Sequence, residues 1–123
     1  MKNALGTHII LDFYECNPDT MKYVADVQSI IKQSADLAKF TVVAEEYHQF
    51  EPHGVSGMTI IAESHISLHS WSEHCYIAVD IFYCGENNNV ENGINSLVEA
   101  FQPKRIVRND IPRGIVPQEI FIN

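Results

Sequence analysis

The chain has 123 residues, 46% hydrophobic and 20% charged, which gives one folded domain with a modest core and excludes global disorder. Eight Lys and Arg against 16 Asp and Glu set the formal charge at −8, which argues against a surface tracking nucleic-acid phosphates and favours a neutral or cationic small ligand. No apolar run approaches the length of a membrane span and no charged leader precedes one, so neither membrane insertion nor secretion is expected and a cytoplasmic protein is.

Gly6 to Tyr14 alternates as a strand, with Ile9, Leu11 and Phe13 on one side. Asn17-Pro18-Asp19 supplies a cap and a first-turn proline, and Val24, Val27, Ile31, Ala35 and Ala38 recur at helical spacing, predicting a helix from Pro18 to Ala38. Phe40 to Phe50 and Val55 to Ala62 are rich in β-branched and aromatic residues around a Pro52-His53-Gly54 break, predicting two strands and a turn. Ile66 to Trp71 and Tyr76 to Tyr83 give two more strands about a Ser72-Glu73-His74 turn. After a polar loop from Gly85 to Asn89, Val90, Ile94, Leu97, Val98 and Phe101 mark a second helix ending before Pro103. Arg105 to Arg108 is a short strand, Pro112-Arg113-Gly114 and Pro117 punctuate the tail, and Ile120 to Ile122 are placed at a sheet edge. The alternating strands and amphipathic helices pack most economically as an α+β two-layer sandwich, an antiparallel sheet with both helices on one face. At this length an enclosed pocket is hard to build alone, so a subunit interface is expected to supply part of any site.

Chemistry-bearing residues crowd into Glu63 to Trp71 and Asp80 to Gly85, one strand-like region with serine, histidine, glutamate and cysteine side chains. His65 and His69 have a spacing that zinc sites use on a helix, but on a strand four residues span roughly 13 Å, too far for one ion. Ser56, Ser64, Ser67 and Cys84 are candidate nucleophiles with His69 as base, yet none sits in a G-x-S-x-G elbow. Alternation puts Ser64 and His69 on opposite strand faces, so their cooperation requires a turn or bulge near Ser64. Cys16, Cys75 and Cys84 match neither a metal knuckle nor a redox pair, and Cys16 and Cys75 are expected as buried free thiols. These patterns alone leave the chemistry open.

Four blocks in order, Phe13 to Cys16, Phe50 to Gly57, Ile60 to Glu73 and Ala78 to Gly85, closely resemble the prokaryotic S-adenosylmethionine decarboxylase proenzymes over nearly the whole chain. The resemblance implies a single domain that cuts itself between Glu63 and Ser64, leaving a β chain of residues 1–63 and an α chain of residues 64–123. Ser64 would attack the Glu63 carbonyl, β-elimination would split the resulting ester, and the residue left behind would become a pyruvoyl group. By the same resemblance Ser56 steadies the rearranging peptide, His69 removes the Ser64 α-proton, and Cys84 reprotonates the product carbon. The pyruvoyl carbonyl would hold the substrate amine as a Schiff base and accept electrons as pyridoxal phosphate would, so neither that cofactor nor a metal is implied. A thiol of ordinary acidity is mostly protonated near neutral pH and suits the donor role.

For the substrate, the resemblance places Phe50 on the adenine and Glu73 near the ribose hydroxyls, with Trp71 flanking. His8, His53 and His65 fit substrate contact and structural hydrogen bonding equally well. A homodimer of processed protomers, with sites drawing residues from both, is implied as well. Around Trp71 the chain departs from the family, which commonly carries a proline, an aromatic and a glycine where Ser72, His74 and Cys75 occur. The function implied is decarboxylation of S-adenosylmethionine for spermidine synthesis. Two alternatives stand beside it: a pyruvoyl decarboxylase of arginine or ornithine on the same scaffold, and an unprocessed, non-catalytic binding or regulatory homologue. Phe50, Trp71 and Glu73 count against the first, and the intact Ser56, Ser64, His69 and Cys84 set against the second.

Overall fold

The computed structural model describes residues 4–116, so the expected edge pairing of Ile120 to Ile122 lies outside the described residues. Strand β1 (Ala4–Tyr14) leads to α1 (Val24–Leu37), then β2 (Val42–Gln49), β3 (Val55–Ile61), β4 (Ser64–Trp71) and β5 (Tyr76–Cys84), followed by α2 (Val90–Phe101) and β6 (Arg105–Ile115). The six strands form one sheet in the order β2-β3-β4-β5-β1-β6, each antiparallel to its neighbours. This is the expected α+β sandwich.

One face of the sheet is apolar because alternate residues of every central strand are. Ile9, Leu11 and Phe13 of β1, Ile77, Val79 and Ile81 of β5, and Ile66 and Leu68 of β4 are each no more than 2% exposed. They bury against Val27, Ile31 and Ala35 of α1 and Leu97 and Phe101 of α2, and each such side chain contributes about 1.5–3 kcal/mol. The helices approach closely at Gly93, where an added Cβ would stand 2.8 Å from the Ser34 carbonyl. The Ser34 hydroxyl donates to the Gly93 carbonyl at 2.8 Å, so a buried polar group is satisfied at the crossing.

Two expectations are corrected. The helix begins at Val24 instead of Pro18, and Pro18–Thr20 is a separate 3₁₀ turn held by the Asn17 side chain, which accepts from the Asp19 amide. The carbonyls of Met21 and Lys22 explain the delay, because they accept hydrogen bonds from Ser70 and Gly54 and are not spent on a helical ladder. The last strand runs to Ile115 through Pro112, where a stop was expected. β6 pairs only with β1, and an edge strand accommodates a residue without an N–H. Its Arg108 reaches back to Glu91 in the first turn of α2 through two bonds of 2.8 and 2.7 Å and holds that carboxyl below its ordinary range.

Neither helix covers the other face of the sheet. Ser56, Met58 and Ile60 of β3 share it with His65, Ser67 and His69 of β4, as their register requires. Met58 and Ile60 are 42% and 45% exposed there. Among the described residues no helix is long and apolar enough to cross a membrane.

The turn between β4 and β5 carries a conformational cost at Cys75, which adopts φ +51°, a left-handed backbone that glycine takes freely. Cys75→Gly is therefore expected to stabilise the fold by about 1 kcal/mol, read as a higher denaturant midpoint at unchanged slope. A lower midpoint would mean that the Cys75 side chain stabilises more through contacts than its backbone costs.

Candidate active site

The expected residues gather at two places, one at each end of β4. At its C-terminal end Ser56 lies opposite His69 across the β3–β4 pair, with the serine hydroxyl 2.8 Å from Nδ1. They sit in a cleft of about 300 Å³ whose walls include Phe50, His53, Trp71 and Glu73. Phe50 is 46% and Trp71 42% exposed, so neither is a core aromatic and both present a ring to the cleft. A nucleoside-sized ligand matches such a volume, with apolar rings for its base and a carboxylate for its hydroxyls.

The cleft is tied to α1 by side chains whose importance the sequence does not reveal. Gln49 accepts from the Val24 amide at 2.8 Å, filling the cap that Tyr23 cannot, and donates to the Lys22 carbonyl at 2.9 Å. Gly54 turns the chain at φ +116° and its amide also bonds the Lys22 carbonyl. Buried Ser70 accepts from the Val55 amide and donates to the Met21 carbonyl. Ser72, one of the departures from the family pattern, is buried and hydrogen-bonded to Nδ1 of His53. These hydrogen bonds lie on the segments that adjoin Phe50 and Trp71 and anchor them to the rest of the fold.

At the N-terminal end of β4 the chain makes a two-residue turn through Ala62 and Glu63. Ser64 follows at φ +154°, a conformation unusual for a residue with a side chain. A turn thus lies beside Ser64, but it does not bring Ser64 to His69, the cooperation for which a turn or bulge was expected. The Glu63 carbonyl accepts from the Cys84 amide at 2.9 Å, and the Glu63 carboxylate accepts from the Thr41 amide at 3.1 Å. Cys84 is exposed and, by strand alternation, follows Asp80 and Phe82 onto the open face.

The two groups do not meet within one protomer. Ser64 and His69 are five residue steps apart on β4, about 17 Å at the usual rise. The one strand-like region therefore carries two separate groups, Ser64 with Cys84 at one end and Ser56 with His69 at the other.

The remaining candidates have plainer explanations. Cys16 is buried, and burial, helped by the neighbouring Cys75, pushes its thiol up to about 11, which makes it a packing residue. Cys75 is only partly buried, contrary to expectation. His8 lies 3.1 Å from Asp80 and packs on Phe82, and His65 meets the same ring edge-on. Among the described residues no group of three His, Cys, Asp or Glu side chains is placed to hold a metal ion.

Comparison with known proteins bears on the whole chain. A family model described as S-adenosylmethionine decarboxylase matches residues 7–114. The S-adenosylmethionine decarboxylase proenzyme of Thermodesulfovibrio yellowstonii is 38% identical over 92% of this chain and 84% of its own length. The proenzyme of the same name from Acidithiobacillus ferrooxidans is 40% identical over 92% and 85%. The crystal structure of the adenosylmethionine decarboxylase from Aquifex aeolicus superimposes with a TM-score of 0.90 at 33% identity, covering 98% of this chain and 99% of that one.

Proposed function

The chain belongs to the S-adenosylmethionine decarboxylase family, and from that premise we propose that it cleaves itself between Glu63 and Ser64 and decarboxylates S-adenosylmethionine at a site completed by a second copy. The observation that carries this is the Glu63–Ser64 bond itself. Its carbonyl is hydrogen-bonded to the Cys84 amide and its serine lies outside ordinary strand geometry, at the tip of a tight hairpin beside an exposed thiol. These residues fit a chain that makes its own pyruvoyl group at position 64. That group supplies a carbonyl that condenses with the substrate amine and accepts the electron pair released with carbon dioxide.

The chain's own residues divide the remaining work. Phe50 and Trp71 provide flat apolar surfaces for an adenine, and Glu73 accepts from ribose hydroxyls. His69, oriented by the Ser56 hydroxyl at 2.8 Å, is the base that takes the α-proton during processing. Cys84 returns a proton to the product carbon. The separation of Ser64 from His69, about 17 Å along β4, supports a second protomer that completes the site. The open face that carries His69 also leaves Met58 and Ile60 unburied, and a two-fold dimer closing on it would cover them and bring each Ser64 towards the partner's cleft. The product, decarboxylated S-adenosylmethionine, is the aminopropyl donor for spermidine formation.

Intact mass spectrometry of the purified protein tests this. Two fragments meeting at Glu63 and Ser64 are expected, and S-adenosylmethionine with cyanoborohydride should add a stable adduct to the α chain alone. Fragments that trap arginine or ornithine in its place would retain the self-cleavage and overturn the substrate. A single uncleaved chain would overturn the enzyme assignment in favour of a binding role.

A further inference from the structure

The hydrogen bonds around Glu63 extend beyond the cleavage assignment. Its carboxylate, exposed enough to be solvated, is instead turned back onto the Thr41 amide at 3.1 Å. Thr41 also accepts from the Ala62 amide at 2.8 Å, so the hairpin tip is fastened to the start of β2 on both sides of the turn. The Glu63 carbonyl meets the Cys84 amide at 2.9 Å. One residue is thereby fixed by its side chain, its own carbonyl and the amide before it, and the following residue takes up φ +154°.

We propose that the Cys84 amide is the donor that stabilises charge on the Glu63 carbonyl oxygen during self-cleavage, and that the Glu63 carboxylate, gripped by Thr41, is the positioning group that keeps that oxygen on the donor. This rests on the self-cleavage assigned above. When the Ser64 Oγ bonds to the Glu63 carbonyl carbon, the carbonyl π pair moves onto oxygen. Collapse restores the carbonyl and breaks the C–N bond. Overall one proton passes from Oγ to the amine nitrogen, so the amide becomes an ester with every atom conserved and no co-reactant. An N–H aimed at the oxygen before charge develops lowers the barrier for that addition without reorganisation. It is a backbone group, indifferent to the side chain at position 84. The Thr41 grip would hold the oxygen in place while the Ser64 backbone is strained, and misplacement by about 1 Å can cost on the order of 100-fold in rate.

The test compares Glu63→Ala, Glu63→Gln and the unaltered chain as full-length proenzymes made in a cell-free system, with cleavage followed over time. Glu63→Ala is expected to process at least about tenfold more slowly. Glu63→Gln, whose amide oxygen still accepts from Thr41, should process near the unaltered rate. Hydroxylamine, which cuts esters and leaves amides, should not rescue Glu63→Ala, because the block precedes the ester. A second measurement is amide hydrogen exchange in an uncleaved Ser64→Ala background, where Cys84 should be protected and lose that protection when Glu63→Ala is added. Equal rates in all three chains, equal slowing of both variants, hydroxylamine rescue of Glu63→Ala, or an unprotected Cys84 amide would each overturn the proposal. Failure of the unaltered chain to cleave would instead overturn the self-cleavage on which it rests.

Discussion

Co-expressed Ser64→Ala and His69→Ala chains are expected to yield cleaved protein although neither cleaves alone. Ser64→Ala removes the nucleophile and no partner can replace it. His69→Ala keeps the nucleophile and loses the proposed proton acceptor, which stands about 17 Å from Ser64 in the same chain and in the proposed dimer acts on the partner chain. In a mixed dimer the Ser64→Ala protomer lends its His69 to the other chain. Cleavage should then be confined to the His69→Ala chain, which a mass tag on either partner would reveal. Random pairing makes about half of the dimers mixed with one competent chain in each, so about a quarter of all chains should be cut. If mixing restores nothing while the dimers demonstrably form, the site lies within one protomer, and β4 must rearrange to bring its two ends together. Cleavage of His69→Ala alone would instead remove His69 from the processing step.

The architecture was legible in the sequence because its elements agree locally and globally. The alternation in β1, β4 and β5 and the helical spacing from Val24 to Ala38 point to the same buried face. What was less legible depends on long-range partners. Pro18 reads as a helix start until Gly54 and Ser70 are seen to claim the carbonyls that precede Tyr23. Thr41, Gln49 and Ser72 have no role that the sequence pattern assigns, and they matter because distant segments place a carboxylate, a free helix end and an imidazole against them.

The candidate residues were proposed by resemblance, and their arrangement on the sheet was not legible in it. The strand rise that separates His65 from His69, and so argues against a metal site, separates Ser64 from His69 by more. Resemblance identifies which side chains belong to a site. It implies a site shared by two protomers without dividing the residues between them, and the sheet separates Ser64 and Cys84 at one end of β4 from Ser56 and His69 at the other.

Cys84→Ala should separate the making of the site from its use. The contact that Cys84 makes with the Glu63 carbonyl runs through its backbone amide at 2.9 Å, and alanine keeps that amide. Cleavage at Glu63 is therefore expected to proceed, giving the same two fragments by mass. The exposed thiol, however, is the group proposed to protonate the product carbon. A general acid of this kind contributes about 10²–10⁴ in rate, so turnover per cleaved chain should fall by about that factor. Substrate trapping should persist, because the aromatic cleft at Phe50 and Trp71 is untouched, and a kcat loss with little change in KM is the expected signature. A Cys84→Ala chain that stays uncleaved would place the thiol in processing, and one that cleaves and turns over normally would leave the proton donor to another residue.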